Sequence, residues 1–380
     1  MADHTKEISS VVCPANPQHC RQTEASILPF DDGRLFLAYT DFYDGPNWRD
    51  EGHAKIMGKW SRDEGETWSD PFLVQENIGR LNVMAASLLR LPSGRILLSF
   101  MRKDGQQGVG PDPDCTSLHP MLKYSDDECK TWSKPVQITP DDNNYWCSCN
   151  DRLLRLSSGR ILFPLTMKKC QVWISDDDGA AWRQCAGPLP PEDSGAEPTC
   201  VELANGSVKM FMRTKNNNIW IAESNDGGEN WGNVDKWGPY STAVPCMVRR
   251  LPGSSDILLV WNNCGIRTNL TTAISRDGGH IWTDYRILEE QEGWPIPRSH
   301  TYPSVAFLNG NVHLTYWEVH HHTLEDLLFS LIYRRLPTSW FYQRRIRRAG
   351  IADLDEIVRR VFNPQAVYDG QHQKPKTTST

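Results

Sequence analysis

The 380-residue sequence contains no apolar run approaching the roughly 18 residues that cross a bilayer, so no membrane insertion is expected. It also lacks a basic excess. Its 41 Lys and Arg stand against 47 Asp and Glu, for a formal net charge of -6 and a pI near 6.0. Such a balance offers no general attraction to phosphate backbones and sets nucleic-acid binding aside. The opening residues, Met-Ala-Asp-His-Thr-Lys-Glu, hold no apolar core of the kind a secretory signal needs, so a cytoplasmic chain is expected. Secretion would require that a signal had been trimmed, and only then would the sequons at Asn205 and Asn269 matter. There is no Gly-rich phosphate loop and no metal-ligand spacing, so no metal and no other cofactor is expected. The 11 cysteines run from Cys13 to Cys264, and the closest set, Cys147-Ser-Cys149, lacks the paired spacing of a zinc site. Free, mostly buried thiols are the expected state.

What is present is repetition. A turn motif with Ser, Asp, usually Gly, and Trp at offsets of zero, two, four and seven occurs five times, starting at Ser61, Ser125, Ser175, Ser224 and Ser275. The copies read SRDEGETW, SDDECKTW, SDDDGAAW, SNDGGENW and SRDGGHIW, at spacings of 64, 50, 49 and 51 residues. That period suits one four-stranded propeller blade. A second pattern, an apolar stretch, a glycine turn and an alternating strand, turns at Gly33, Gly94, Gly159, Gly206, about Gly253, and Gly310. Six such hairpins predict a six-bladed, all-β propeller forming one domain over 20–337, after an N-terminal segment over 1–19. LEDLLFSLIYRRL, after the sixth hairpin, is expected to supply an outer strand without the turn motif. Beyond about Trp340, Ile346, Ile351, Leu354, Ile357, Val358 and Val361 recur near helical spacing. A short C-terminal helix and a disordered tail are therefore expected within 338–380.

In a propeller, the entry ends of the innermost strands and the far ends of their partners line a pocket on one face. Glu24, Asn150 with Asp151, Glu197 and Tyr302 stand eight or nine residues before the hairpin glycines; Asp41, Arg102, Met167, Arg213 and Glu318 stand seven or eight after them. This is an unusually polar set for strand ends. A purely structural channel lined with paired charges and water is the competing reading.

The turn motifs resemble the Asp boxes of sialidase-like propellers. In families that carry them they lie on outer hairpins away from the active site, so Asp63, Asp127, Asp177, Asp226 and Asp277 are expected to be structural. The run from Glu197 through Gly206 to Arg213 resembles the sialidase segment bearing a catalytic glutamate and one arginine of the carboxylate-binding triad. Arg267-Thr-Asn-Leu-Thr resembles the strand bearing another triad arginine. The stretch from Tyr302-Pro-Ser-Val to Tyr316-Trp-Glu318 resembles the one that begins with the nucleophilic tyrosine and ends with a glutamate steadying an arginine. The resemblance covers roughly residues 20 to 335. It implies a retaining exo-glycosidase releasing terminal α-linked sialic acid, or a related nonulosonic acid, from sialylated or related glycans.

Chemistry supports these residue types. Guanidinium groups bind a carboxylate in bidentate fashion. Because an anomeric carboxylate repels an attacking Asp or Glu, a neutral tyrosine deprotonated by a neighbouring carboxylate is the better nucleophile. Tyr302 with Glu197 fits that pair. Sialidases place the acid, an aspartate, in the loop after the first blade's inner hairpin, and this resemblance makes Asp50 the candidate, with Asp44, Glu51 and His53 as local competitors. The departure lies at the first arginine: the chain has Arg21-Gln-Thr-Glu24 where sialidases start with Arg-Ile-Pro, which places Glu24 near the family's arginine position. There it would repel a substrate carboxylate. Either Arg21 reaches in, with Arg102 or Arg152 as substitutes, or the pocket serves another sugar. Glu24 and Asp41 motivate an arabinanase-like alternative, and a carbohydrate-binding propeller without catalysis is a third reading. His320-His321-His322 is read as a solvated loop rather than a metal site. The segments 104–115 and 185–196 are read as surface loops able to overhang the pocket.

Overall fold

The structure is a computed structural model that describes residues 6–106, 114–167, 169–185, 196–215, 218–289, 298–320 and 327–342. Among these, the strands form six four-stranded antiparallel blades, as the hairpins predicted. Blade 1 comprises Arg21–Pro29, Leu35–Phe42, Ala54–Ser61 and Phe72–Gln75. Blade 2 comprises Asn82–Arg90, Ile96–Lys103, Leu118–Ser125 and Val136–Gln137. Blade 3 comprises Leu154–Arg155, Ile161–Met167, Lys169–Ser175 and Arg183–Cys185. Blade 4 comprises Ala196–Glu202, Val208–Arg213, Asn218–Ser224 and Asp235–Tyr240. Blade 5 comprises Met247–Arg250, Ile257–Asn262, Leu270–Ser275 and Thr283–Glu289. Blade 6 takes Arg298–Leu308, Asn311–His320 and Leu328–Pro337 from the chain's end.

The fourth strand of blade 6 is Ile8–Cys13, paired antiparallel with Leu328–Pro337. The sheet therefore begins before residue 20, and LEDLLFSLIYRRL supplies the third strand rather than the outer edge. Closure joins the two ends of the chain: the Phe329 amide donates to the Cys20 carbonyl at 2.8 Å. This covers an edge that would otherwise expose unpaired backbone groups. The expected C-terminal helix over 343–365 lies outside the described residues; Thr338–Tyr342 is a single 3-10 turn.

The turn motifs build identical scaffolds. In the first, the Ser61 hydroxyl donates to Asp63 at 2.8 Å and accepts the Gly65 amide at 2.7 Å, while Asp63 accepts the Thr67 amide at 2.9 Å. The same bonds recur at Ser125 with Asp127, Ser175 with Asp177, Ser224 with Asp226, and Ser275 with Asp277. A Cβ at Gly65 would overlap the Tyr333 hydroxyl of blade 6, so only glycine fits that approach. The motif's tryptophan wedges against the preceding blade: Trp68 stands 5.1 Å from Tyr333, Trp132 6.3 Å from Phe36, and Trp282 6.2 Å from Phe211.

Asn150, Asp151 and Arg152 sit at the axis. Asp151 accepts from the hydroxyls of Ser26 at 3.1 Å and Ser304 at 3.0 Å and from the Val305 amide at 3.1 Å. Arg249 approaches the same carboxylate at 3.2 Å, and the Asp151 amide donates to the Ala86 carbonyl at 3.0 Å. Blades 1, 2, 5 and 6 thus meet on one residue entering blade 3. Arg152 is fully buried and donates to the carbonyls of Asn150 at 2.9 Å and Cys246 at 3.1 Å. It is scaffold, not a substitute substrate arginine.

Replacing Asp151 by Ala should lower stability by about 3–5 kcal/mol, because Arg249 is left without its buried counter-charge. Urea unfolding should show a lower midpoint at unchanged slope. A loss within about 0.5 kcal/mol would contradict the axial role. The five motif aspartates all have pKa values held below the ordinary carboxylate value: at Asp63 and Asp277 desolvation is the largest single influence and raises them, but the hydroxyl and amide donors together outweigh it, while at the other three a donor leads and Asp127 reaches about 2. A folded pKa below the unfolded one gives stability that is present above pH about 4 and is lost as pH falls towards 2. The melting temperature should drop across that window, and more shallowly in Asp127→Asn.

Candidate functional site

One backbone device sets the site. The innermost strands of blades 1, 2, 4 and 6 each carry a bulge in which two residues oppose one, between Thr23 and Ser26, Met84 and Ser87, Ala196 and Thr199, and Thr301 and Ser304. The first bulged residue is Glu24, Ala85, Glu197 or Tyr302, with φ of 43°, 62°, 43° and 60°; Asp151, on the segment entering blade 3, also holds a left-handed φ of 59°. Left-handed backbone at a non-glycine residue costs about 1–2 kcal/mol. Bulges at such rims re-aim side chains, and strain of this kind clusters at functional sites.

Tyr302 and Glu197 meet as expected. The phenol donates to Glu197 Oε1 at 3.3 Å, and Arg213 Nη1 donates to Glu197 Oε2. Tyr302 stacks on Trp317 at 5.9 Å, and the Arg267 guanidinium lies 5.9 Å from both rings. Among the described residues, no hydrogen bond is made by the Arg267 side chain. Burial, reinforced by Glu197, pushes the Tyr302 pKa well above 10, against the lowering effect of Arg213 and Arg267. The phenol therefore rests neutral beside the Glu197 carboxylate.

Arg21 does reach in. Its guanidinium lies 4.5 Å from the Phe42 ring and donates to Glu24 Oε1, to Asp50 Oδ1 at 2.6 Å, to the Trp48 carbonyl at 3.2 Å and to the Thr23 hydroxyl at 3.2 Å. Glu24 lies beneath it at 2% exposure, its second oxygen accepting from Thr23 at 2.5 Å. Neutralised and covered, Glu24 does not present the repelling charge expected of it. Asp50 is half exposed at the rim. The surrounding protein alone would raise its pKa, but Arg21, Lys103 and Arg267 draw it below the ordinary value. Its loop is pinned by Asn82, whose amide donates to the Asp50 carbonyl at 2.7 Å and the Gly52 carbonyl at 2.9 Å. Of the local competitors, Asp44 and His53 pair with each other at 2.9 Å.

Two expected positions differ. Asp41 is buried against His19, both carboxylate oxygens at 2.9 Å from Nδ1, and burial raises its pKa. Arg102 donates to Asp104 at 2.8 Å. Its neighbour Lys103 is the buried cation that faces Asp50 and Cys147; burial lowers its pKa while those two groups oppose the shift. Successive residues of a strand point to opposite faces, so a slip of one selects the wrong side. Glu318 accepts from His300 at 2.8 Å and forms an ion pair with Arg298 at 3.8 Å, so it stands beside both a histidine and an arginine. Sequence reasoning missed Lys103, His300 and Asn82. For Asn82 and Lys103 the signal was strand parity: they pair two residues outside the pair that flanks the bulge, on the same face as Ala196 and Arg213, whereas His300 pairs with Glu318 one residue outside it. His321 and His322 and most of the two expected overhanging loops lie outside the described residues.

The inner hairpins and turn motifs occupy the opposite face. A crevice of about 620 Å³ there, lined by Ser157, Gly159, Asp176 and Asp226 among others, contains none of the site residues.

Residues 80–314, more than half of the chain, match the family described as BNR repeat-like domain. The chain is 31% identical over 120 residues to the anhydrosialidase of Macrobdella decora, covering 29% of this chain and 16% of that protein. It is 26% identical over 233 residues to the sialidase of Paraclostridium sordellii, covering 54% of this chain and 56% of that protein. The matches thus span well under two thirds of either relative. Among solved structures, the NanB sialidase of Streptococcus pneumoniae superposes with a TM-score of 0.70 at 15% identity, over 87% of this chain and 70% of that one.

Removing the two Asn82 bonds by Asn82→Ala should loosen the Asp50 loop by about 1–3 kcal/mol. Hydrogen exchange at the Gly52 amide should then quicken by about ten- to a hundredfold. Arg102→Ala should leave it unchanged; equal protection in wild type and Asn82→Ala would show that the loop is held otherwise.

Proposed function

The chain belongs to the BNR repeat-like family, and on that premise we propose that it is a retaining exo-glycosidase acting on terminal α-linked sialic acid or a related nonulosonic acid of glycans. The observation that carries this reading is the Tyr302 phenol directed at Glu197, with Arg213 fixed on the far side of that carboxylate.

In this reading the sugar carboxylate lies against Arg213 and Arg267, with Arg21 at the blade 1 side. Glu197 takes the phenol proton as the Tyr302 oxygen bonds to the anomeric carbon. The bond to the leaving oxygen breaks, and that oxygen receives a proton from Asp50. Water then attacks the same carbon and gives a proton to Asp50; the Tyr302 bond breaks and Glu197 returns its proton to the phenolate. Two inversions leave the α configuration. A neutral nucleophile suits an anionic centre, and Glu197, already hydrogen-bonded to Arg213, needs no reorientation.

The neutral-sugar alternative rested on Glu24 and Asp41. With Glu24 capped by Arg21 and Asp41 turned to His19, neither favours it. A purely sugar-binding propeller has no use for a base against a tyrosine.

A fluorogenic α-sialoside should be cleaved, with the α anomer released first by NMR. Glu197→Gln should lower kcat about 10²–10⁴-fold, the usual contribution of a general base. Tyr302→Phe should lose nearly all turnover. Wild-type protein inert on sialosides and other nonulosonosides, or a Tyr302→Phe variant that stays fully active, would sink the proposal.

A further inference from the structure

Among the described residues, four of the five N–H groups of Arg21 have partners: Nε donates to Thr23, one Nη2 hydrogen to Glu24, and the two Nη1 hydrogens to Trp48 and Asp50. One N–H remains. A carboxylate gripping a guanidinium in fork geometry needs two parallel donors. Of the four existing partners, Thr23 and Glu24 are buried and the Trp48 carbonyl belongs to the backbone, whereas the Asp50 side chain is 52% exposed. Asp50 is therefore the partner that an incoming carboxylate displaces. Glu24 is the part that stays: held by Thr23 and Arg21 beneath the site, it fixes the guanidinium while its outer edge changes partner.

We propose that Asp50 and the carboxylate of an acidic sugar compete for the same edge of Arg21, so that binding such a sugar is coupled to uptake of one proton by Asp50. This deepens the glycosidase reading and rests on it. Before binding, Asp50 faces Arg21 from blade 1, Lys103 from blade 2, Arg267 from blade 5, and, among neutral groups, Tyr145 and Cys147; Glu51 is the other carboxylate on its loop near Lys103. Three cations favour the ionised form. An ionised Asp50 has no proton for a leaving oxygen. When the sugar carboxylate takes the Nη1 hydrogen, Asp50 loses the cation 2.6 Å away and gains an anion nearby. Both changes favour the carboxylic acid; the proton comes from bulk water, and Asp50 then holds it for the leaving group. Arg21 touches the substrate carboxylate itself, and Glu24 is a positioning residue, acting through Arg21.

The test is titration calorimetry of the whole chain with N-acetylneuraminic acid and with its methyl ester, which lacks the charge. Measurements at pH about 5, above the ordinary Asp pKa, in buffers of low and high ionisation enthalpy give the proton stoichiometry. The acid should bind with uptake approaching one proton, the ester with none, and the acid to Asp50→Asn with none. Since Asp50 is exposed, Asp50→Asn should keep the wild-type melting temperature. Affinity for the acid should also fall as pH rises, and this dependence should vanish in Asp50→Asn. Binding of the acid without uptake, or with equal uptake in Asp50→Asn, overturns the coupling alone. No binding of the acid at any pH overturns the sialic-type substrate and the coupling with it.

Discussion

A carboxylate buried on the axis organises this ring. Hydrophobic wedges such as Trp68 against Tyr333 hold neighbouring blades together, but apolar contact is non-directional and does not fix how far one blade slides against the next. Asp151 supplies direction. Its bonds to Ser26, Ser304, Val305 and Arg249, and its amide bond to Ala86, set the heights of blades 1, 2, 5 and 6 relative to one residue. An unpaired charge in that place would be prohibitive, so the arrangement exists only when the blades stand in one register. Asp151 also shares the left-handed layer of Glu24, Ala85, Glu197 and Tyr302, and Asn150 beside it donates to the Tyr302 carbonyl at 3.4 Å. The scaffold's anchor and the site are adjacent residues of one layer.

That layer explains why strain is tolerated. Glu24, Glu197 and Tyr302 each hold a backbone conformation that L residues avoid, and in each the side chain is a member of the site. Ala85 holds the same conformation with no polar group to present. The bulge is thus a property of the repeat, and the chemistry was placed on it. The polar residues that follow the bulges, Ser26, Ser87 and Ser304, bind back to the axis: Ser87 accepts the Arg152 and Leu153 amides at 2.8 and 2.9 Å. Rigidity below and strained residues above suit a site that must hold reacting groups within a fraction of an ångström.

Much of this was legible in the sequence because glycine turns and Ser-Asp-Gly-Trp motifs act locally. A turn needs only its own residues, so six hairpins counted six blades. Long-range pairing was not legible. Nothing in Ile8–Cys13 announces that it pairs with Leu328–Pro337, since an edge strand carries only a short, ordinary alternation. The site was legible to within one residue. Tyr302, Glu197, Arg213 and Arg267 came together because motifs carried them. Asp41 and Arg102 were misplaced because a count of seven or eight residues from the hairpin glycine spans both faces of a strand. Measured from the bulge, Asp41, Arg102 and Glu318 share one place, one pair outside the flanking pair. Arg213 in the flanking pair and Lys103 two pairs outside it lie on the other face.

The electrostatic pattern that results differs from a simple positive hole. Arg21 is bonded to Glu24 and Asp50, Arg213 to Glu197, and Glu318 to His300. An anion entering this pocket meets cations that already have partners, with Arg267 the exception among the described residues. Binding is then an exchange of ion pairs, and its net energy is small compared with the strength of any one contact. What the exchange alters most is the protonation of the displaced group. A site built of matched charges can remain ordered without ligand, and the ligand's own charge is what unbalances it. In the proposed glycosidase reaction, that imbalance separates two groups of the same kind: Glu197 keeps Arg213 and serves as the base, while Asp50 loses Arg21 and serves as the acid.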